Sequence, residues 1–325
     1  MSGTVVVLVN GEVLANGQGS TIADQRLNAM KLAEGLLPLF ESDTKVVILH
    51  GNKPQVGFVL FRSELASHVL HSIPLDVCGA DTQGATGFML SQAFTNVLRR
   101  AKVPRKVMCV VTQTRVESSP LSEPQLMAIG PWFDREKAEI YRQTRGWKMI
   151  EEPGRGYRRA VPSLSPKEIL EFEGISQLVE MGVVVIAGGG GGVPVMENAN
   201  GDYEGIEGVT DTEQVAVMLA QGLKAKVLLS VIENDDKFIL SGISTEYKNR
   251  MTLETLDKIL ARETFSSRTV DNKLRAASVF LHHGGEQVVI TTLRNLPETI
   301  AEDNGLRIGS LHPTVELFSI TSGLE

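Results

Sequence analysis

Two cysteines in 325 residues, Cys78 and Cys109, are too few for a disulfide framework. Both lie in or beside apolar stretches and read as small core residues in a reducing compartment. Basic residues are outnumbered, 32 Lys and Arg against 39 Asp and Glu, for a formal net charge of -7. That balance excludes a dedicated nucleic-acid binder and leaves room for a local basic site facing a phosphate. No window approaches the roughly 18 apolar residues of a membrane span. The opening MSGTVVVLVN has no basic n-region and too short an apolar run for a signal peptide. No internal repeat or low-complexity tract appears. These absences lead to the expectation of a soluble, cytoplasmic protein acting on a small molecule.

The composition that remains is 42% hydrophobic and 22% charged, enough for one large α/β domain or two smaller ones. Runs rich in Val and Ile recur at Thr4–Val9, Lys45–His50, Lys106–Val111, Gly182–Ala187, Lys226–Val231 and Gln287–Thr292. They barely alternate, as strands covered on both faces do. Helical stretches lie between them at Thr21–Phe40, Gln83–Arg100, Pro166–Met181, Gln214–Leu223 and Asn272–Leu281. The third opens with Ser165 as N-cap, Pro166 in the first turn and Glu168 three residues after the cap. Such alternation predicts a mainly parallel sheet with helices on both faces, a three-layer α/β/α sandwich. Ligands in such sheets bind at the carboxyl ends of the strands. A poorly periodic middle, Glu117–Pro166, reads as a lid or inserted subdomain, and Leu311–Glu325 as a tail.

Three glycine-bearing turns follow strands: Val9–Glu12, His50–Gly57 and the five glycines Gly188–Gly192. A tight turn needs one or two glycines, so five imply a backbone that something approaches closely. Turns of this kind at strand ends suit an anion, whose partners are backbone N–H groups and helix N-termini. Neither common phosphate fingerprint fits. The Walker loop would close on Gly-Lys-Ser/Thr where Val193–Pro194 stands, and GxGxxG fails at Val193 or at Pro194.

HGNKPQVG at His50–Gly57, DTQGATGFMLSQA at Asp81–Ala93, EPGRGYRRAVPS at Glu152–Ser163 and GGGGVPV at Gly189–Val195 resemble the carbamate kinases, in order and spacing, from about Val5 to about Gly309. The resemblance implies the amino-acid-kinase fold as one domain over residues 1–310. Its acceptor half would span about 1–180, with a protruding subdomain at about 117–166, and its nucleotide half about 181–310. It also implies reversible phosphoryl transfer between ATP plus carbamate and ADP plus carbamoyl phosphate, with Mg2+, in a homodimer. On this resemblance Lys273 and Ser230 fall at the nucleotide, and Asp211 and Glu213 organise the site and magnesium. Asn10, Gly11, Gly51, Asn52, Gly189, Gly190, Gly191 and Gly192 face the transferring group, and Arg155 closes on the acceptor.

The sequence also departs from the family. Where the family has Gly-Gly-Asn, Val9, Asn10 and Gly11 stand, and family lysines are replaced by Met127, Thr212 and Met218. Losing two phosphate-facing lysines at ~3 kcal/mol each would amount to a loss on the order of 10⁴-fold in rate. Two readings stay open: Lys53 and Arg268 supply the missing charge from new positions, or the site is silent and binds without turnover. Other candidates have plain structural readings. His50 sits at a strand end, and His282 and His283 at a helix end. Arg155, Arg158 and Arg159 suit either closure over an anionic acceptor from the subdomain or an exposed basic hairpin, and Asp81, Thr82 and Gln83 an N-cap cluster.

Overall fold

A computed structural model describes residues 3–15, 20–117, 125–152, 154–233, 250–262, 268–301 and 305–309. The expected tail at 311–325 lies outside these described residues, as does the side chain of Arg268. The chain begins with β1 (Thr4–Val9), α1 (Gly11–Leu14), α2 (Ile22–Gly35), α3 (Leu37–Glu41), β2 (Lys45–His50), α4 (Lys53–Leu65) and α5 (Leu75–Ala101). The middle holds β3 (Val107–Cys109), β4 (Gln113–Val116), β5 (Gln125–Phe133), α6 (Arg135–Arg145), β6 (Met149–Glu152), β7 (Gly156–Leu164) and β8 (Pro166–Ile169). Next come α7 (Phe172–Glu180), β9 (Val184–Ile186), β10 (Val193–Glu197), β11 (Tyr203–Gly205), β12 (Val209–Thr210) and α8 (Thr212–Gly222). The last described elements are β13 (Val227–Ile232), β14 (Arg250–Met251), α9 (Leu253–Arg262), α10 (Arg268–His282), β15 (Gln287–Thr292), α11 (Leu296–Ala301) and β16 (Leu306–Gly309).

All six expected strands fall in one eight-stranded sheet of order β14-β16-β15-β13-β1-β2-β9-β3. Every neighbouring pair is parallel except β15 with β16. Consecutive strand residues point to opposite faces, and the two faces build separate cores. Val6, Leu8, Val47, Leu49, Leu228 and Val288 pack against α7, α8, α9 and α10. Val5, Val7, Val46, Ile48, Leu229 and Val289 pack against α2, α3, α5 and α11. This double burial is why the runs do not alternate, and it establishes the α/β/α sandwich expected from sequence.

Several expectations need correction. Pro166–Met181 is not one helix: β8 pairs antiparallel with β4, and Glu168 meets Arg115 at 2.8 Å instead of capping a helix. Pairing along that edge outweighs the local capping signature. Thr21–Phe40 is two helices, because Pro38 cannot donate to a continuing helix and instead opens α3. Asp81, Thr82 and Gln83 cap nothing, since α5 already begins at Leu75. Cys78 is buried, but Cys109 is exposed on β3, at the edge of the sheet.

The poorly periodic middle is ordered antiparallel sheet: β5, β6 and β7 pair with one another, and β12 adds in parallel to β7. This unit is seated on α4. Phe61 of α4 lies 5.7 Å from Phe133 and 5.8 Å from Trp147, ring centre to ring centre. Arg159 does not lie free in an exposed hairpin; it meets Glu64 of α4 at 2.6 Å. Gly57 and Gly130 touch backbone to backbone, and a Cβ on Gly57 would overlap the Gly130 N and Cα. Gly57→Ala is therefore expected to cost ~1–3 kcal/mol of stability. Gly84→Ala, in the interior of α5 with nothing within 4 Å of the new methyl, is expected to gain ~0.5–1 kcal/mol. Urea unfolding of the two variants checks both signs.

Candidate active site at the strand ends

The carboxyl ends of β1, β2, β9 and β13 converge, and the glycine run follows β9. Gly188 and Gly190–Gly192 adopt positive φ, from 65° to 88°, which costs other residues energy. All five glycines are buried, and a Cβ on any of Gly189–Gly192 would run into a polar side chain: His50, Asn52, Thr210 and Thr114 in turn. The loop is held by hydroxyls. Thr112 Oγ1 accepts from Gly188 N at 2.9 Å, while Thr210 and Thr114 donate to Gly191 O at 2.5 and 2.8 Å.

The amides of this region are not equally available. Gly191 N donates to Gly188 O, Gly192 N to Gly189 O, and Gly51 N to Val9 O at 2.7 Å. The N–H groups of Gly189, Gly190, Asn52 and Lys53 have no hydrogen-bond partner among the described residues. Lys53 and Pro54 open α4, so two of these donors sit at its positive end. Gly11 packs on Gly51, a Cβ there lying 3.0 Å from the Gly51 carbonyl. Asn10 N donates to Val231 O, tying the end of β1 to β13. Asn52 Nδ2 donates to Thr82 Oγ1 at 2.7 Å, and Gln83 bonds both N–H-bearing and carbonyl groups of Thr112. Thr82 and Gln83 are thus supports of the two loops, a role that their place inside α5 makes possible.

Facing this floor is a buried ion pair. Lys273 of α10 donates to Glu213 Oε1 at 3.1 Å and to Ser230 Oγ at 3.3 Å, with side chains 3% and 5% exposed for the pair. Burial would raise the Glu213 pKa, but the charges of Lys273 and Lys53 hold it well below the usual carboxylate range. Asp211 caps α8 through Gln214 N at 3.0 Å and accepts from Asn272 Nδ2 at 3.0 Å. Burial and the charge of Glu213 raise its pKa, against the pull of the Gln214 N–H and of Lys53. The ammonium of Lys53 therefore acts on both carboxylates from α4, across the site from Lys273. Met127 is buried in β5 and Met218 packs on the apolar core under α8.

Arg155 lies apart from this group, in an adjoining cavity of about 330 Å³ lined by Glu12, Pro54, Trp132, Arg158 and Glu233 among others. Arg158 is buried, not part of an exposed hairpin. The three candidate histidines make local contacts: His50 Nδ1 bonds Gly51 O at 3.1 Å, His282 meets Asp257, and His283 donates to Val279 O at the end of α10. Glu12, Trp132 and Glu233 were not expected as site residues; Glu12 lies in the turn after β1, but nothing in the sequence joins it to the two distant segments that carry Trp132 and Glu233.

Fold and site together define a class, and comparison with known proteins agrees. The model of the amino acid kinase family matches residues 3–292. The carbamate kinase of Thermococcus kodakarensis is 35% identical over 313 residues, covering 95% of this chain and 99% of that protein. The carbamate kinase-like protein YahI of Escherichia coli is 33% identical over 315 residues, covering 95% and 99%. Carbamate kinase from Giardia lamblia bound to AMP-PNP superposes with a TM-score of 0.78 at 28% identity, covering 94% of this chain and 98% of that one. The chain belongs to the carbamate kinase family.

Removing one partner of the buried pair strands the other charge. Lys273→Met is expected to cost ~3–5 kcal/mol, and Lys273→Met with Glu213→Leu to recover most of it; chemical denaturation of both checks this. Glu233 makes a second prediction. Burial, the charge of Glu12 and a hydrogen bond that protonated Glu233 donates to it raise the Glu233 pKa to about 7. The folded state then holds a proton that the unfolded chain releases near 4.5. Its contribution to stability accordingly falls as pH rises from 4.5 to 7 and levels off above. Carbon NMR of the Glu233 carboxyl should show the titration near neutrality, shifted down in Glu12→Gln.

Proposed function

We propose that this chain transfers a phosphoryl group between ATP plus carbamate and ADP plus carbamoyl phosphate. The observation that carries the reading is the buried Lys273–Glu213 pair, fixed by Ser230 at the strand ends, together with backbone amides that have no partner among the described residues. Phosphoryl transfer asks for positioning and charge neutralisation rather than covalent chemistry. In this reading Lys273 and Ser230 meet the nucleotide phosphates, and the amides of Gly189, Gly190 and Asn52 receive the transferring group. Lys53, at the positive end of α4, supplies the second cation in place of the family's missing lysines.

Magnesium would ride on the phosphates and neutralise their charge. The donor set fits that limited role. No group of three ligating side chains exists among the described residues, but Glu213 Oε2 is buried without a hydrogen-bond partner. Asp211 and Glu213 are the residues that would hold it, in keeping with an ion that takes one or two carboxylates and substrate oxygens. The nucleotide half is residues 181–310 and the acceptor half 1–180, with the subdomain at 117–166 over the acceptor. Nucleotide use is supported by the Giardia lamblia relative, whose structure holds AMP-PNP.

A homodimer is supported by the exposed edge of the main sheet, where Met108 and Val111 near β3 and Phe88 of α5 are 45%, 50% and 56% exposed. Free thiols at Cys78 and Cys109 support a reducing, cytoplasmic setting, and no helix among the described residues is long and apolar enough to cross a membrane. The second reading, binding without turnover, rests on Met127 and Met218, which place no charge at the site.

Coupled ATP formation from ADP and carbamoyl phosphate tests the reading. The native chain is expected to turn over, and Lys273→Ala and Lys53→Met each to lower the rate on the order of 10²–10³-fold. An unchanged rate in Lys53→Met would remove that residue from the chemistry. Absent turnover with calorimetric ADP binding would favour the silent binder, and absence of both overturns the two readings together.

A further inference from the structure

The turn after β2 carries one of the amides left without a partner, and a single side chain sets the direction in which it points. Gly51 N donates to Val9 O at 2.7 Å, so the first peptide of the turn is fixed by β1. The next peptide, Gly51–Asn52, is held differently. Its carbonyl accepts from His50 Nδ1 at 3.1 Å, and its N–H has no hydrogen-bond partner among the described residues. A glycine leaves the peptide that follows it unusually free to rotate. A planar trans peptide carries its C=O and its N–H on opposite sides, so whatever holds the one aims the other.

The direction of the His50 bond follows from its partner. A carbonyl only accepts, so Nδ1 carries the proton. His50 is 1% exposed, and burial pulls its pKa down to about 4 against the opposing effect of the Gly51 bond. The ring is therefore neutral, with one N–H and a bare Nε2. Nε2 lies against the glycine run, where a Cβ on Gly189 would come within 2.6 Å of it. Gly11 lies against the same peptide that His50 holds. A Cβ there would stand 3.0 Å from Gly51 C and O and 3.1 Å from Asn52 N. The Asn52 side chain is committed elsewhere, donating to Thr82 Oγ1 at 2.7 Å. His50 thus sits between the two loops, and its one proton goes to the carbonyl behind the Asn52 amide.

We propose that His50 is a positioning residue for phosphoryl transfer: its Nδ1–H holds the Gly51–Asn52 peptide so that the Asn52 N–H is presented to the transferring group. It acts through the backbone and not on the reacting atoms. The proposal rests on the phosphoryl-transfer reading for its purpose, while the hydrogen bond and the aim of the amide are measured without turnover.

The geometry is tested on the native chain. Nitrogen-15 NMR of the His50 ring is expected to show a proton on Nδ1 and none on Nε2; the reverse overturns the proposal. Function is tested in two variants by coupled ATP formation from ADP and carbamoyl phosphate. His50→Leu has no donor, whereas the Nδ2 of His50→Asn reaches the position of Nδ1. His50→Leu is expected to lower kcat about 10²-fold with KM for ADP unchanged, and His50→Asn to recover about tenfold or more of that loss. A histidine that only fills space would give no such rescue. The proposal is overturned if His50→Leu turns over as the native chain does, or if folded His50→Asn is as slow as His50→Leu. Melting curves report whether each variant is folded. Where a variant does not fold, or the native chain does not turn over, the native chain decides by NMR. On addition of carbamoyl phosphate, the Asn52 amide and the His50 Nδ1 signals are expected to shift together, and movement of neither overturns the proposal. Absent turnover with both signals moving counts against the phosphoryl-transfer reading and leaves the role of His50 at the amide supported.

Discussion

Gly11 and Gly51 touch through their backbones, and the rest of the site is arranged around that contact. Parallel pairing of β1 with β2 sets it, because Val9 is in register with His50 and the two chains leave the sheet side by side. A side chain at either glycine would drive the strand ends apart. With the ends this close, the glycine run after β9 lies over Asn52 and His50; Gly189–Gly192 are lined by polar groups, while Gly188 rests on Leu49 and Leu219. The bareness of Gly188–Gly192 therefore has two causes. Positive φ at four of the residues favours glycine, and so does the lack of space beside them. Both serve to bring unpaired amides to one place.

Across this floor the charge distribution is asymmetric. Lys273 is fixed on three sides by Glu213, Ser230 and the packing of α10. A buried ion pair contributes little net stability compared with an apolar pair of the same volume. Its retention in a site with few other cations is better explained by placement of charge than by stability. Lys53 is the counterpart. It stands on the first turn of a helix whose dipole already favours anions, so its charge and that of the α4 terminus add. A lysine moved to a new backbone position seldom restores a lost geometry, but this one reaches both Asp211 and Glu213 electrostatically. That observation favours relocated charge over simple loss.

The main sheet was legible because its signals are local: each strand is buried on both faces, and every such run reads as continuous Val and Ile. The glycine loop and Lys273 with its carboxylates were legible through motif strings. What the sequence concealed depends on distant pairing. Ser165–Glu168 looks like a helix start until Arg115 on a neighbouring strand claims Glu168. The middle looked aperiodic because β5 and β7 share their faces between α4 and solvent, so neither alternates cleanly. The pairing of Glu12 with Glu233 carries no signal, since one follows β1, the other follows β13, and only the sheet order makes them neighbours. The amides likewise could not be sorted from sequence; which N–H groups remain unpaired follows from turn geometry.

Helix α4 links these features. The charge of its first residue, Lys53, acts on Asp211 and Glu213. Pro54 and Phe58 line the two-signed cavity, and Gly57 bears directly on Gly130 of the overlying sheet. Farther along, Phe61 and Glu64 hold the aromatic rings and arginines of that unit. A rigid helix touching all of these cannot shift at one point without shifting at the others. The overlying sheet, the cavity and the glycine floor are thus joined through one helix.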